Sequence, residues 1–153
     1  MTDLTNEELK VFSEQLAQRY MSDIEGYLIK SSFRETPYNV RLIPLPSADD
    51  VSKIQFSDMK KNEIYFYTES LNNSIFHLLR HFRNCASHKG RIKKTEIGGV
   101  PVYLFEDKTK VYVSMIGNVE VNLWEKYIKE LYDIAIKNRK IRKIKKSNKD
   151  ISR

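Results

Sequence analysis

The chain has 153 residues, of which 41% are hydrophobic and 11% aromatic, which is enough for one domain with a buried core. The single cysteine, Cys85, excludes an intrachain disulfide and is typical of a reducing compartment. Apolar runs are a few residues long, against the roughly 20 that a membrane-spanning helix needs. The N-terminal residues also lack the charged-then-apolar order of a signal peptide. The sequence therefore predicts a cytoplasmic protein without a membrane segment.

The net charge of +7 is concentrated in two stretches of the chain. Residues 137–153 hold nine Lys or Arg and one Asp, whereas residues 1–136 are nearly neutral. We therefore expect a domain over 1–136 and a basic C-terminal tail over 137–153. Within the domain, residues 70–95 hold six cations and no acid. Positive potential of this kind attracts polyanions such as nucleic acids. For the tail, a segment that is simply solvated fits the composition equally well.

The predicted elements begin with a helix near the N-terminus. Thr5-Asn6-Glu7-Glu8 is a capping box, and the apolar residues behind it recur at helical spacing, which predicts a helix over about residues 5–32. Three prolines between residues 33 and 48 predict a loop there. Ser47 offers a second cap, and residues 49–66 stay undecided between a short helix and a connector.

A second long helix is predicted over residues 71–88. Its apolar side chains lie three or four positions apart, which is the spacing of one buried helix face. Gly90 follows where a left-handed helix stop is expected. Residues from about 100 to 117 then alternate in the manner of a β-hairpin, and a last helix begins near Trp124 and can continue into the tail.

The segment Arg83-Asn84-Cys85-Ala86-Ser87-His88 stands at the end of the second helix, inside the basic stretch. Cleavage of RNA by its own 2′-hydroxyl needs no metal, but it needs a group that titrates near neutrality and a fixed cation for the phosphorane. His88 and Arg83 supply these two functions. Asn84 can orient the phosphate or hold the histidine tautomer. We therefore predict these three residues to be catalytic, with no cofactor and no metal.

The same segment resembles the signature of the HEPN superfamily, in which Arg is followed by a polar residue, about three variable residues and His. The flanking Leu79-Arg80-His81-Phe82 looks like bacterial members encoded near mobile and phage-defence elements. The resemblance implies a mainly α fold, an HEPN-like up-and-down helical bundle with the β-hairpin inserted before the last helix. It also implies a metal-independent endoribonuclease that acts as a toxin or phage-defence effector, with an antitoxin protein as a conceivable partner.

Helix geometry constrains the predicted catalytic residues. On an ideal helix Arg83 and His88 point about 140° apart, so either the helix ends early or two protomers bring their motifs together. The resemblance favours the second arrangement and implies a homodimer through the residue 71–88 helix. Cations and one histidine near the motif are predicted to bind RNA: Arg80, His81, Lys89, Arg91, Lys93 and Lys94.

Other interpretations of these residues stay open. His77 and His81 have the four-residue spacing of a zinc site, but no Cys pair or carboxylate cluster completes a ligand set, so polar residues lining a cleft are expected instead. Cys85 is expected to be a small buried thiol. Tyr103 and Tyr112 can stack on bases, although packing is the stronger expectation. For the whole chain, the alternatives are a non-catalytic RNA- or nucleotide-binding HEPN module and a helical interaction protein with a basic tail.

Overall fold

A computed structural model of the chain describes residues 1–19, 39–69 and 74–134. These residues form a mixed β-sheet with helices packed on it. The elements are β1 (Thr2–Asp3), α1 (Asn6–Arg19), β2 (Arg41–Leu45), α2 (Ala48–Ser52), β3 (Glu63–Tyr67), α3 (Ser74–Ser87), β4 (Ile92–Ile97), β5 (Val100–Lys108), β6 (Val113–Glu120) and α4 (residues 124–134).

Within the described residues the sheet has six strands in the order β1-β4-β5-β6-β3-β2. Strand β2 runs parallel to β3, and all other neighbouring pairs are antiparallel. The β5–β6 hairpin lies in the middle of this sheet, where β4 pairs with β5 on one side and β3 pairs with β6 on the other. The fold is therefore organised by strand pairing.

The expectation of a mainly α, HEPN-like helical bundle with an inserted hairpin is wrong, because the described residues form an α/β fold around this large sheet. Strand β2 contains Pro44 and lies in the segment predicted to be a loop. An edge strand tolerates proline, because its outer row of backbone groups has no partner strand to bind. Strand β4 runs through Lys93 and Lys94, in the stretch whose charge suggested an RNA-binding surface.

The predicted helix caps and the predicted glycine stop are confirmed. The Thr5 backbone N–H donates to the Glu8 carboxylate at 3.1 Å, and the Glu8 N–H donates to the Thr5 hydroxyl at 3.2 Å, which is the predicted capping box. Ser47 caps α2, and Gly90 has a φ of +82° just beyond α3. The first helix is described as far as Arg19; its predicted continuation to residue 32 and the basic tail over 137–153 lie outside the described residues. None of the described helices is both long and apolar enough to cross a bilayer.

The main core lies between one face of the sheet and the helices α1, α3 and α4. Its centre is aromatic: the Phe82 ring lies 5.0 Å from Phe105 and 5.2 Å from Trp124, in edge-to-face contacts. The apolar stripe of α3 is buried against this face within a single chain. On the opposite face, a smaller cluster forms beneath α2, around Val51 and Ile116.

Gly117 permits a close approach between β3 and β6. It pairs with Ile64, and a Cβ atom at position 117 would lie 2.7 Å from Ile64 Cγ1 and 3.0 Å from Ile64 Cα. A clash with the backbone cannot be relieved by a side-chain rotation alone, so β3 or β6 would have to move.

We therefore expect Gly117→Ala to lower the free energy of unfolding by about 1–3 kcal/mol, the usual cost of overpacking a core. Urea denaturation followed by the fluorescence of the buried Trp124 measures this change. In an Ile64→Ala background the cost of Gly117→Ala should shrink, because the contacting side-chain carbons are gone. Equal costs in the two backgrounds would contradict this account.

Candidate functional site

Polar side chains of α3 meet the end of β3 at a cleft of about 230 Å³, which we call the histidine cleft. On α3, positions 77, 81 and 84 follow the three- and four-residue steps of one helix face, beside the buried apolar stripe. The cleft is lined by Tyr67, Glu69, His77, Arg80, His81 and Asn84.

His81 joins α3 to two strands. Its Nδ1 lies 2.6 Å from Asp107 Oδ2 on β5, and its Nε2 lies 3.0 Å from the Tyr67 carbonyl oxygen at the end of β3. The side chains of His81 and Asp107 are only 12% and 15% exposed. Both partners are hydrogen-bond acceptors, so a ring with hydrogens on both nitrogens satisfies both contacts. With His81 in that form, the contact with Asp107 is an ion pair in a largely buried place.

Asp107 accepts hydrogen bonds from two side chains on the polar face of α3. Besides His81, Asn84 donates to the same Oδ2 oxygen at 3.2 Å. Burial by itself raises the pKa of Asp107, but the hydrogen bond and charge of His81, together with the Asn84 bond, outweigh it and lower the pKa below its ordinary value. Asp107 is therefore a stable carboxylate at neutral pH.

His77 differs from His81 in having one ring nitrogen without a partner. Its Nδ1 lies 2.7 Å from the hydroxyl oxygen of the buried Thr68. Among the described residues, no hydrogen bond engages its Nε2. Burial, followed by the nearby positive charge of His81, lowers the pKa of His77 below its ordinary value of 6.5. His77 is therefore an oriented, neutral imidazole at the cleft, the state that a general base requires.

The remaining lining residues add charge of both signs. Arg80 is exposed, and its guanidinium carbon lies 5.7 Å from the centre of the Phe76 ring, which restricts where the side chain can lie. The Tyr67 hydroxyl donates to the Glu69 carboxylate at 3.4 Å. The cleft thus combines a guanidinium and two imidazoles with one exposed carboxylate.

Of the three residues predicted to be catalytic, one lines this cleft. Asn84 is bound to Asp107, whereas Arg83 and His88 are exposed and do not line the cleft. His88 follows the last residue of α3, and its backbone N–H donates to the Cys85 carbonyl at 3.4 Å. Within one chain, the described cleft does not bring Arg83 and His88 together. The Cys85 thiol is buried.

The residues predicted to bind RNA are divided between two regions. Arg80 and His81 line the cleft. On β4, Lys93 lies 3.8 Å from Glu106 and Lys94 forms an ion pair with Glu8, so acidic partners compensate both charges. The other two predicted residues lie beyond the end of α3: Lys89 is exposed and Arg91 is half-buried.

The predicted homodimer through the residue 71–88 helix stays a prediction. The apolar stripe of α3 is already covered by the sheet of its own chain. A second copy that met this helix would therefore contact its polar residues, including those of the cleft. The first residues of the predicted helix, 71–73, lie outside the described part of the chain.

A larger cavity of about 350 Å³ lies between α1, β5 and α4. It is lined by residues such as Gln15, Tyr103 and Trp124 and contains no histidine or arginine. Among residues 1–19, 39–69 and 74–134, no group of three or more His, Cys, Asp or Glu side chains comes together in a way that could hold a metal ion. The histidine cleft therefore offers more of the chemistry needed for proton transfer than the larger cavity.

No protein-family model, curated protein or solved structure was found to match the chain. The resemblance to the HEPN superfamily therefore rests on the segment from Leu79 to His88, and the observed sheet contradicts the bundle that it implied.

Sequence reasoning missed two partners that build the cleft. The polar run Glu106-Asp107-Lys108-Thr109 is typical of a turn, but β5 continues to Lys108 and therefore holds the Asp107 carboxylate on the sheet. Thr68 stands just before the second predicted helix, where a helix cap is expected. The spacing of His77, His81 and Asn84 was the available signal, because it puts the three side chains on one helix face.

From the contact between His81 and Asp107 we predict how the stability of the fold depends on pH. The pKa of Asp107 is lower in the folded chain than its ordinary value of 3.8, so ionised Asp107 stabilises the fold above that value, and this stabilisation is lost as the pH falls through the lowered pKa. We expect Asp107→Asn to lower the free energy of unfolding by about 1–3 kcal/mol at neutral pH. The difference from the wild type should shrink as the pH falls below about 4 and vanish once the pH is below the lowered pKa of Asp107.

Urea denaturation at a series of pH values tests this expectation. Asp58→Asn, at an exposed carboxylate outside the cleft, is the matched control and should change stability little at any pH. A deficit in Asp107→Asn that stays constant down to pH 2–3 would show that charge does not account for the interaction.

Proposed function

We propose that the histidine cleft is the active site of an endoribonuclease that cleaves RNA by attack of a 2′-hydroxyl on the adjacent phosphate. The observation that carries this proposal is His77, whose Nδ1 is engaged by Thr68 at 2.7 Å while its Nε2 has no hydrogen-bond partner among the described residues. A neutral imidazole oriented in this way, next to a guanidinium, is the pair of groups that the reaction needs.

In the proposed reaction, the His77 Nδ1–H donates to the Thr68 hydroxyl, and Nε2 carries the lone pair that accepts the proton of the 2′-hydroxyl. The bond from the 2′-oxygen to phosphorus forms as the bond to the 5′-oxygen breaks, and the 5′-oxygen takes a proton from water. The products are a 2′,3′-cyclic phosphate and a 5′-hydroxyl. DNA lacks the nucleophile and would not be cut.

The charges of the cleft support phosphate as the bound group. Arg80 supplies a guanidinium that can bind two phosphate oxygens at once. Both ring nitrogens of His81 are occupied, so it is a positioning residue that holds α3 against the sheet. Asn84 has the same role through Asp107.

The motif residues Arg83 and His88 are a second candidate pair of catalytic residues, at the end of the same helix. It requires two protomers whose motifs face each other, as the homodimer prediction supposes.

A cytoplasmic location belongs to the proposal, because the buried free thiol of Cys85 remains reduced there. The toxin or phage-defence role and the antitoxin partner rest on the resemblance of the motif alone.

A second candidate function is RNA or nucleotide binding without cleavage. One observation favours it: both ring nitrogens of His81 are bonded to the protein, so His77 supplies the one histidine nitrogen available for proton transfer among the described lining residues. Cleavage assays that also measure binding separate the two functions.

We expect the wild-type chain to cleave labelled single-stranded RNA in the presence of EDTA, and His77→Ala to lose roughly 10²- to 10⁴-fold in rate, the usual contribution of an acid–base group. Arg80→Gln should weaken binding and slow cleavage. A DNA strand of the same sequence should stay intact, and an end-group assay should detect the cyclic phosphate.

His88→Ala and Arg83→Ala, made in parallel, test the arrangement predicted from the motif. If these variants are inactive while His77→Ala retains full activity, the active site lies at the end of α3 and the assignment to His77 is wrong. If the wild type binds RNA at low salt but does not cleave it, the second candidate function holds.

The rate of cleavage should depend on pH through His77. Because the pKa of His77 lies below its ordinary value of 6.5, the base form is already dominant at neutral pH, and the rate should fall as the pH decreases through that lowered pKa. Single-turnover rates between pH 4.5 and 8 measure the profile. Thr68→Val should slow cleavage and move the inflection while RNA binding is retained, whereas an unchanged profile would contradict the role of Thr68.

A further inference from the structure

The turn between β5 and β6 exposes two neighbouring apolar side chains. We call residues 108–112 the hairpin tip; within it Val111 is 86% exposed and Tyr112 is 42% exposed. Most large apolar side chains of the described residues are buried in the two clusters. An exposed valine and tyrosine side by side on a turn suggest a surface that contacts something else.

Hydrogen bonds, two of them to the Thr109 hydroxyl, order the backbone of the hairpin tip. The backbone N–H groups of Val111 and Tyr112 each donate to Thr109 Oγ1 at 3.3 Å, and the Thr109 N–H donates to the Tyr112 carbonyl at 2.9 Å. At the base of the turn, the Val113 N–H donates to the Ser52 hydroxyl of α2 at 2.8 Å. A turn fixed in this way loses little conformational freedom when it binds a partner.

The hairpin tip begins next to the histidine cleft. Asp107, which binds His81 of the cleft, directly precedes the tip. On the other side of the turn, Tyr112 is close enough to Tyr67, a lining residue, to affect its titration: burial is the first cause that raises the pKa of Tyr67, and Tyr112 is among the neighbours that raise it further.

The charge of the hairpin tip suits an anionic partner. Lys108 and Lys110 lie on either side of Thr109, and the tip contains no acidic residue. An exposed aromatic ring beside lysines is the combination that binds single-stranded nucleic acid, because the ring stacks on a base and the ammonium groups bind phosphates. Bases in a duplex are already stacked on each other, so an unpaired base is required.

We propose that the hairpin tip docks single-stranded RNA for the histidine cleft, with one unpaired base stacked on Tyr112 and a neighbouring phosphate bound by Lys110. The inference rests on the proposed function for the identity of RNA as the substrate. It adds a recognition element that prefers loops and single strands over duplexes.

The test uses a single-stranded oligouridylate whose riboses are 2′-O-methylated, so that it can bind but cannot be cleaved. Tyr112→Ala should weaken its binding about tenfold, as expected for the loss of one stacked base, while Tyr112→Phe should bind like the wild type. Lys110→Gln should reduce the salt dependence of binding by about one phosphate contact. Lys129→Gln, at an exposed position of α4, is the matched control and should leave binding unchanged.

A second measurement reports stacking directly. In Tyr112→Trp, the new exposed indole should lose fluorescence when the oligonucleotide binds, whereas the native Trp124 is buried and should not respond. An oligonucleotide of abasic residues should bind this variant weakly and leave its fluorescence unchanged.

The outcomes separate this inference from the proposed function. Binding that depends on Tyr112, in a chain that does not cleave RNA, supports the docking role and overturns the catalytic one. Cleavage that requires His77 but binding that is the same in Tyr112→Ala overturns the docking role alone. If the wild type binds no oligonucleotide at low salt and Tyr112→Ala instead abolishes self-association in sedimentation, the hairpin tip is a protein contact and the inference is wrong.

Discussion

The two hydrogen bonds of His81 are the interaction on which the candidate site depends. One imidazole is bonded to a carboxylate of β5 and to the carbonyl that ends β3, so it fixes the polar face of α3 against two strands of the sheet. His77 and Asn84 lie on the same helix face and take their positions from this attachment. Removal of either partner would leave a largely buried polar group unsatisfied, which costs more than the bond itself contributes.

The same ion pair also determines protonation. The positive charge of His81 lowers the pKa of Asp107, against the effect of burial, and it adds to burial in lowering the pKa of His77. The structure therefore keeps the carboxylate of Asp107 ionised and the imidazole of His77 neutral among the neighbours of His81. The two histidines, four residues apart, differ in their hydrogen bonds, because one is bonded at both nitrogens and the other at one.

The sequence predicted those parts of the fold that depend on neighbours along the chain. The capping box at Thr5 and the apolar stripe of α3 are local patterns, and both are present. The sheet depends on distant pairing, which weak patterns such as Ile92-Lys93-Lys94-Thr95 do not reveal, and Pro44 argued against a strand that is in fact at an edge. For the candidate site, spacing indicated a shared face for the histidines, but it did not indicate their partners. Thr68 directly follows β3, a strand that the sequence did not predict, and Asp107 lies on β5 in a polar run that is typical of a turn.

Strand β2 has a consequence for the behaviour of the chain in concentrated solution. Its Arg41 N–H points inward, donating to Asn62 at 2.8 Å, and the alternation of a strand then turns the nitrogen of Pro44 outward. The missing N–H thus costs no bond to β3, and it removes a donor from the outermost row of the described sheet. A foreign strand cannot extend a regular ladder across that position, so Pro44 protects the fold against growth into aggregates by edge-to-edge association.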